Sequence, residues 1–428
     1  MNSQLIIRGG KQLQGRFTPQ GNKNAALPIL ASSLLSAEPY TLHNVPDILD
    51  IHSMSKIVQQ SGAQVEHTSE ATVISPGDQL HSSNDHSSAA KIRSILVAGS
   101  LLPRTKKVTL PKPGGDRIGR RSIETHLKAL ADLGADIRME RNAYTIEIDG
   151  RLRGTDLLLN QASVTATEVL VMASVLCQGQ TTIYPAACEP HVQELCHALN
   201  ARGGKIDGIG TNRLMITGVK EIGGGVHKLG PDYQEIGSII SLAATTGSEI
   251  LIEDMPWEYS RVILRGFEML GLRYERQEDS LLIPAAQQLT IASNMEGGIP
   301  VITDDIWPGI PSDLLSLILV AATKAEGVVL VHEKMYESRL YFVDSLIEMG
   351  AQIVLCDPHR AVVSGSSQLH GIRLSSPDIR AGMALLIAAL SAQGESRMNN
   401  IQQIDRGYSR IYDRLQALGA DLELVSAS

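Results

Sequence analysis

The stretch Ala26-Leu-Pro-Ile-Leu-Ala-Ser-Ser-Leu-Leu is followed by Tyr40-Thr-Leu-His-Asn-Val-Pro and by an amphipathic segment that closes at Gly62-Ala-Gln-Val. A helix that is apolar on nearly every side must be buried, so the first segment predicts an interior helix. The second segment predicts a short strand, and the glycine suits the residue that follows a helix C-terminus. Together these parts define a unit of buried helix, strand, amphipathic helix and strand.

The same unit recurs five more times along the chain. Its further apolar runs begin at Ile92, Val169, Ile236, Leu314 and Met383. The closing glycines recur at intervals of roughly 70 residues, and they are Gly62, Gly134, Gly203, Gly271, Gly350 and Gly419. Such regular spacing predicts six copies of one supersecondary unit, with short strands forming sheets around interior helices.

Six units in 428 residues predict two domains of three units, because the chain is too long for one ordinary core. The boundary is expected in residues 222–232, IGGGVHKLGPD, which contain four glycines and one proline. This run fits either a hinge between domains or a turn that connects two strands. Its position between the third and fourth units favours the hinge.

Composition narrows the class of function. Hydrophobic residues make up 43% of the chain and charged residues 20%, as in soluble globular proteins. A net charge of −8 and an aromatic content of 4% argue against a nucleic-acid partner. The N-terminus has no long apolar segment, and the apolar run from Leu314 to Thr323 is too short to span a bilayer. We therefore expect a cytoplasmic protein with neither a secretory signal nor a membrane segment.

Cysteine and histidine spacing points to no metal site. The four cysteines show no CxxC pattern, and the twelve histidines show no HExxH pattern. We expect reduced thiols and no bound metal.

One irregular stretch, Pro111 to His126 (PKPGGDRIGRRSIETH), interrupts the second unit. Its glycines and prolines oppose regular structure, and its arginines surround a single acid, Asp116. By itself it fits either a solvated surface loop or a lid for an anionic substrate. Pro111 precedes the closing Gly134 by 23 residues, whereas Pro46 precedes Gly62 by 16. An insertion on a repeated scaffold favours the lid.

Several motifs resemble the enolpyruvyl transferases over essentially the whole chain. The motifs are Gly21-Asn-Lys-Asn-Ala-Ala-Leu-Pro, Leu42-His-Asn-Val-Pro-Asp-Ile, Pro113-Gly-Gly-Asp-Arg-Ile-Gly-Arg-Arg, Cys188-Glu-Pro, Pro311-Ser-Asp, Tyr336-Glu-Ser-Arg, Asp378-Ile-Arg-Ala and Ile404-Asp-Arg-Gly-Tyr. The resemblance is strongest to the branch of the family whose acceptor is UDP-N-acetylglucosamine.

This resemblance implies an α/β fold of two inside-out α/β barrel domains, each of three βαβαββ-like repeats. The first domain would span residues 22–230 and carry the catalytic loop 111–121; residues 1–21 and 231–428 would form the second. The implied enzyme transfers the enolpyruvyl group of phosphoenolpyruvate to the 3-hydroxyl of UDP-N-acetylglucosamine and releases phosphate, for peptidoglycan synthesis, cell wall biogenesis, cell shape and cell division. No redox step occurs, so no cofactor is expected. The implied partners are these two small substrates, for a monomer or weak homo-oligomer.

The resemblance assigns phosphoenolpyruvate contacts to Lys23, Asn24, Arg121, Arg380 and Arg406, the arginines closing on it by domain motion. Guanidinium groups bind phosphate and carboxylate bidentately, and a lysine adds a point charge. Asp313 matches the residue that accepts the proton of the attacking hydroxyl, although an acid there also suits a helix N-cap. Lys23 and Arg406 are expected to act in catalysis as well.

Asp116 departs from the family pattern. Many relatives carry a cysteine at this position, which serves as the general acid and is alkylated by the epoxide fosfomycin. A carboxylic acid can donate the same proton if its pKa is raised, although the neighbouring arginines lower it. We therefore expect an active, fosfomycin-insensitive enzyme with Asp116 as its acid.

The resemblance also assigns residues to the sugar nucleotide, and these are Arg93, Arg121, Ser122, Ile123, Glu124, Thr125, Ser163, Val164, Asp313 and Met335. Two positions depart from the family. Ile92 stands where the family has a helix arginine, and the adjacent Arg93 is displaced by about 100° around the helix axis. Thr165 stands where glycine is usual.

These departures leave two alternatives open. One is an enolpyruvyl transferase for another acceptor, such as a nucleoside phosphate in secondary metabolism. The other is a catalytically inactive relative that only binds a sugar nucleotide or a protein. The full set of charged motif residues argues against the second.

Overall fold

The computed structural model describes residues 3–77, 79–82, 94–111 and 122–426. Within this part of the chain there are two compact units. The first unit runs from Gly21 to Gly230, and the second combines residues 3–20 with the chain from Pro231 onward. Each unit has its own hydrophobic core.

The helices of the described residues are numbered in chain order. In the first unit they are α1 (Lys23–Ser32), α2 (Leu49–Gln60), α3 (Leu96–Thr105), α4 (Glu124–Asp132), α5 (Val164–Ser174) and α6 (Pro190–Ala201). In the second unit they are α7 (Tyr233–Thr246), α8 (Ser260–Glu268), α9 (Ser312–Ala322), α10 (Val343–Glu348), α11 (Ile379–Ser391), α12 (Gln402–Asp405) and α13 (Ile411–Ala417). Two short 3₁₀ helices are Ser33–Leu35 and Arg339–Phe342.

The strands of the first unit are β3 (Tyr40–His43), β4 (Ala63–His67), β5 (Ala71–Pro76), β6 (Lys107–Pro111), β7 (Asp136–Met139), β8 (Ala143–Glu147), β9 (Asp156–Leu158), β10 (Gln180–Tyr184), β11 (Ile206–Asp207), β12 (Leu214–Thr217) and β13 (Gly225–Lys228). Those of the second unit are β1 (Ser3–Arg8), β2 (Gln14–Phe17), β14 (Glu249–Ile252), β15 (Glu275–Gln277), β16 (Ser280–Ile283), β17 (Val301–Thr303), β18 (Gly327–His332), β19 (Gln352–Asp357), β20 (Arg360–Gly365), β21 (Arg373–Ser375), β22 (Glu395–Asn399) and β23 (Asp421–Ser426).

One sheet pattern recurs around both units. The third repeat has strand order β9-β10-β12-β11, and the fifth has the matching order β17-β18-β20-β19. In each, the strand before the buried helix pairs in parallel with the strand after it, and an antiparallel hairpin completes the sheet. The structure thus confirms the predicted α/β class with βαβαββ repeats.

Two strands are exchanged between repeats. β2 precedes the first repeat yet pairs in parallel with β14 of the fourth, and β13 precedes the fourth yet pairs with β3 of the first. β1 lies between β22 and β23, where it supplies the last strand of the sixth repeat. The N-terminal segment therefore completes two sheets of the second unit.

The closing glycines all end amphipathic helices with a positive φ. Their φ angles are 103° for Gly62, 99° for Gly134, 100° for Gly203, 82° for Gly271, 104° for Gly350 and 100° for Gly419. The residue after the glycine often donates back into the last helical turn, as Ala135 does to Leu130 at 3.1 Å and Ala420 to Leu415 at 3.0 Å. This is the Schellman arrangement, which glycine forms without strain.

The apolar first helices of the repeats form the interior. In the second unit, α7, α9 and α11 pack on one another, and in the first unit α3 packs on both α1 and α5. Residues 314–322 of α9 and 379–390 of α11 are all buried. Buried polar residues lie in first turns of these helices, as Lys23 and Asn24 do in α1 and Arg380 does in α11.

Candidate active site

Lys23 and Asn24 occupy the first turn of α1 and are both buried. Asn22 caps the helix, since its side-chain oxygen accepts from the backbone N–H of Ala25 at 3.0 Å. The N-terminus of a helix favours anions through its N–H groups and its dipole. The sequence Gly-Asn-Lys-Asn therefore places an ammonium group and an amide at a helix end suited to negative charge.

Asp50 fixes the ammonium group of Lys23. The Nζ atom of Lys23 lies 2.6 Å from Oδ2 of Asp50, and their side chains are only 8% and 5% exposed. Sequence reasoning missed Asp50. The signal was its position on the buried face of amphipathic α2, together with Ile51 and Met54. A buried carboxylate must be paired, so an acid on this face indicates a cation packed against it in the fold.

Asp313 lies between two arginines in the second unit. Nη2 of Arg339 is 2.8 Å from its Oδ1, and Nε of Arg380 is 3.2 Å from its Oδ2. The side chains of Arg339 and Arg380 are 4% and 6% exposed, whereas that of Asp313 is 24% exposed. Two buried guanidinium groups thus hold the Asp313 carboxylate. Of these three side chains, Asp313 is the most exposed to solvent.

Arg380 lies in the first turn of α11, and several contacts fix its backbone and its side chain. Asp378 caps this helix by accepting from the N–H groups of Arg380 and Ala381. The guanidinium donates to Oε1 of Gln234 and lies 5.3 Å from the ring centroid of Tyr408. Its Nη1 is buried and meets no acceptor among the described residues. A desolvated guanidinium N–H of this kind favours binding of an anion.

Arg406 follows the short helix α12, and its Nη1 donates to Oε1 of Gln403 at 3.0 Å. Met335 is 41% exposed in the segment after β18. Both belong to the second unit, with Asp313 and Arg380.

Of the described residues, those of the first unit that are assigned to the sugar nucleotide lie at two helix starts. Ser163 caps α5, its Oγ accepting from the N–H of Ala166 at 3.4 Å, and Val164 is the first residue of that helix. Ser122 accepts from the N–H of Glu124 at 3.1 Å, where α4 begins, with Ile123 and Thr125 beside it.

Thr165 joins these two helices. Its hydroxyl lies 2.8 Å from Nε2 of His126, which is buried on α4. Thr165 thus forms a hydrogen bond with His126 that the glycine usual at this position could not form, because glycine has no hydroxyl.

Three of the predicted site residues, Arg93, Asp116 and Arg121, lie outside the described residues. Their assigned roles remain predictions.

Comparisons with known proteins agree over the whole chain. A family model described as EPSP synthase (3-phosphoshikimate 1-carboxyvinyltransferase) matches residues 7–415. A relative from Bacteroides thetaiotaomicron, named UDP-N-acetylglucosamine 1-carboxyvinyltransferase, is 47% identical over 98% of this chain and 99% of its own. Relatives with the same name from Treponema denticola and Bradyrhizobium diazoefficiens are 47% and 46% identical, each alignment covering at least 98% of both chains.

The chain belongs to the enolpyruvyl transferase family.

Solved structures agree on the enolpyruvyl transferase fold. The enolpyruvyl transferase NikO from Streptomyces tendae matches with a TM-score of 0.88 at 20% identity, covering 100% of both chains. An EPSP synthase from Acinetobacter baumannii matches with a TM-score of 0.75 at 18% identity, again over 100% of both. These likenesses concern the fold. The family predicted from motifs is confirmed by the 46–47% identical relatives.

The structure brings two of the predicted site residues, Asp313 and Arg380, into contact. It adds Arg339, the last residue of the motif Tyr336-Glu-Ser-Arg, which sequence reasoning did not assign to the site. It also adds Glu333, a carboxyl that is fully buried behind Arg339. Their partners lie in the same repeat but 21 to 26 residues away, as in the Ser312–Glu333 and Arg339–Asp313 contacts, and such pairs leave no local pattern.

None of the helices in the described ranges is long and apolar enough to cross a membrane. Those ranges also hold no group of three or more His, Cys, Asp or Glu residues arranged to hold a metal ion.

Proposed function

We propose that this protein transfers the enolpyruvyl group of phosphoenolpyruvate to the 3-hydroxyl of UDP-N-acetylglucosamine and releases phosphate. The observation that carries the proposal is the 47% identity, over nearly the full length of both chains, to relatives named for that transfer. The geometry around Asp313 and Arg380 supports it, because the reaction needs a proton acceptor beside fixed positive charge.

The cations bind the phosphate and carboxylate of phosphoenolpyruvate. Lys23, held by Asp50, supplies a point charge beside Asn24, which donates through its amide. Arg380 offers its buried Nη1, and Arg406 and Arg121 supply further guanidinium donors. These groups stabilise the charge that develops as the phosphate leaves.

The reaction proceeds by addition and elimination. Asp313 accepts the proton of the sugar hydroxyl as its oxygen attacks C2, and Asp116 donates a proton to the methylene carbon C3. In the second step C3 gives a proton to the Asp116 carboxylate, the C2–O bond breaks with its electron pair leaving on the phosphate, and the enol ether forms. Asp313 passes its proton to the departing phosphate. Lys23 and Arg406 stabilise the negative charge on the leaving phosphate. This sequence consumes no redox equivalents.

The residues that we assign to the sugar nucleotide are Asp313 and Met335 in the second unit and, in the first unit, those at the starts of α4 and α5. Ser163 and Val164 at α5 present a capped helix N-terminus, which suits a diphosphate. Ser122 to Thr125, with Arg93 and Arg121, complete the proposed acceptor site. The His126–Thr165 hydrogen bond fixes the spacing of the two helix starts.

In the cell, this activity would supply a precursor for peptidoglycan. We place the protein in the cytoplasm, where its two substrates are made, as a monomer or weak homo-oligomer. Its loss would then impair cell wall biogenesis, cell shape and cell division.

An acceptor panel tests the proposal. Purified protein is incubated with phosphoenolpyruvate and either UDP-N-acetylglucosamine, UMP or shikimate 3-phosphate, and phosphate release is followed. Release with the sugar nucleotide alone supports the proposal. Release with UMP but not the sugar nucleotide would assign the chain to a nucleoside phosphate acceptor, and binding without release in any mixture would indicate an inactive relative.

A further inference from the structure

Glu333 directly follows β18 and is enclosed by donors. Its side chain has an exposed fraction of 0%. The hydroxyl of Ser312 lies 2.9 Å and 3.0 Å from its two oxygens, and the N–H groups of Met335 and Tyr336 donate to Oε1 at 3.2 Å and 3.0 Å. These contacts fix the carboxyl beside Ser312, the residue before Asp313, and beside the backbone of Met335.

A second buried carboxyl, that of Asp304, lies beside Glu333, because Thr303 pairs with His332 and the N–H of Asp304 donates to the carbonyl of His332. Oδ1 of Asp304 accepts from the N–H of Lys334 at 2.5 Å, whereas Oδ2 meets no N–H or hydroxyl donor among the described residues. Two buried carboxylates in contact cannot both be ionised at low cost. A proton on Glu333 would supply the donor that Oδ2 lacks.

The electrostatics agree with a protonated Glu333. Burial raises the pKa of its carboxyl to about 9, and the hydrogen bond to Asp304 adds to this effect, while Arg339 opposes it. The raised pKa favours a proton on Glu333 at neutral pH.

Arg339 shows the consequence of this charge state. Its Nη2 is 2.8 Å from Asp313, whereas its Nε is 3.7 Å from Oε2 of Glu333, beyond hydrogen-bond distance. The guanidinium is therefore directed to Asp313. A second full negative charge behind it would compete for the same cation.

Resting on the proposed function of Asp313 as the base, we propose that Glu333 is a positioning residue that shares one proton with Asp304 and so keeps Arg339 and Ser312 set around Asp313. It touches neither reacting atom. Because Glu333 is neutral, the positive charge of Arg339 interacts mainly with Asp313, the carboxylate that accepts the substrate proton.

The charged and titratable groups around this pair are few. Asp304 and Arg339 face the Glu333 side chain, and His359 contacts only its backbone carbonyl through Nδ1, at 2.7 Å. Asp313, Asp378 and Tyr336 act on Arg339. Loss of the shared proton at alkaline pH would thus change the charge opposite Arg339 directly.

The variants Glu333→Gln and Glu333→Ala test the inference. Glutamine keeps an oxygen for Ser312 and the two N–H groups and offers its NH₂ to Asp304, so kcat at neutral pH should stay within about threefold. If kcat of the wild type falls at alkaline pH because Glu333 loses its proton, this fall should shift or disappear in Glu333→Gln, since the amide does not titrate. Alanine should lower kcat by about tenfold or more, with KM for phosphoenolpyruvate changed by less than about threefold. Glu326→Gln, at an exposed residue just before β18 and at the opposite end of that strand from Glu333, serves as a matched control.

Two results would overturn the inference. One is a Glu333→Gln variant as inactive as Glu333→Ala, which would require an ionised carboxylate. The other is an alkaline limb unchanged in Glu333→Gln. The shared proton also has a readout independent of turnover: the infrared band of a protonated carboxyl, present in the wild type at neutral pH and absent from Glu333→Gln. If that band is present but no acceptor is turned over, the proposed function fails while the proton assignment stands.

Discussion

The Nε atom of Arg380 lies 3.2 Å from Oδ2 of Asp313, and this contact joins the first turns of two buried helices in successive repeats. If Asp313 takes the substrate proton, Asp313→Asn should lower kcat by about 10²–10⁴-fold, because an amide cannot accept it. Phosphate release at saturating substrates measures the effect.

Asp357→Asn provides the matched control for Asp313→Asn. Asp357 also pairs with an arginine, Arg360, at 2.6 Å, but on the exposed surface. Its replacement should leave kcat unchanged. An Asp313→Asn variant with more than half of the wild-type kcat would remove Asp313 from the mechanism.

The buried pair of Lys23 and Asp50 makes a prediction for stability. Removing one partner leaves an unpaired buried charge, so Asp50→Leu should cost about 3–5 kcal/mol in the free energy of unfolding. The double variant Lys23→Met with Asp50→Leu should recover much of this loss, because it leaves no buried charge. Urea denaturation of all three proteins measures the effect.

Activity separates the role of Lys23 from its effect on folding. The double variant should be stable yet unable to turn over phosphoenolpyruvate, because the ammonium group is gone. Lys107→Ala, which breaks an exposed ion pair with Glu147, should cost less than about 1 kcal/mol. Full activity in the stable double variant would show that Lys23 is structural only.

Glu333 predicts a pH dependence of stability. Its folded pKa of about 9 lies above its ordinary value of 4.5, so its contribution is complete below pH 4.5. Between these values the folded protein holds a proton that the unfolded chain releases. Stability should therefore fall as pH rises, by at most about 1.4 kcal/mol per pH unit from this group.

The comparison that isolates this effect is Glu333→Gln, which does not titrate. Urea denaturation at several pH values from about 5 to 9 should give a shallower decline for the variant than for the wild type. Parallel declines would mean that Glu333 is already ionised in the folded protein.

Much of the fold followed from the sequence because its signals are local. Apolar runs such as Leu314–Thr323 must be buried wherever they are, and Gly134 or Gly419 can end a helix regardless of its neighbours. The exchange of β2 and β13 was not predictable from either segment alone, because residues as far apart as Gln14 and Glu249, or Tyr40 and Gly225, leave no local pattern.

The site was only partly predictable from the sequence, because it too depends on contacts between residues far apart along the chain. Asp313 and Arg380 stand in recognisable motifs, whereas Asp50 and Glu333 are single acids whose importance depends on what the fold places against them. Of these two acids, Asp50 could have been recognised from the sequence, because it lies on the apolar face of the amphipathic helix α2.

Fosfomycin gives a prediction for Asp116. A carboxylate in place of the usual thiol should leave the enzyme active and resistant to irreversible inactivation by this epoxide. Asp116→Cys should be active and be inactivated in a time-dependent way, because its thiolate would be the nucleophile. Activity remaining after incubation and removal of the drug measures both. Rapid inactivation of the wild type would contradict the assignment.

The native cysteines provide the control for that experiment. Burial raises the pKa of Cys177 and Cys188 to about 11 and that of Cys196 to about 12, so these thiols stay protonated at neutral pH. Only Cys356 is exposed among the four. A thiol reagent should titrate one cysteine in the native protein and four in denaturant, and Asp116→Cys should add one to each count.

The central claim concerns the acceptor, and kcat/KM for UDP-N-acetylglucosamine relative to UMP, with phosphoenolpyruvate saturating, tests it most directly. We predict phosphate release at a normal enzymatic rate with the sugar nucleotide and none above background with UMP. Release that depends on UMP, with none from UDP-N-acetylglucosamine, would contradict the proposed function.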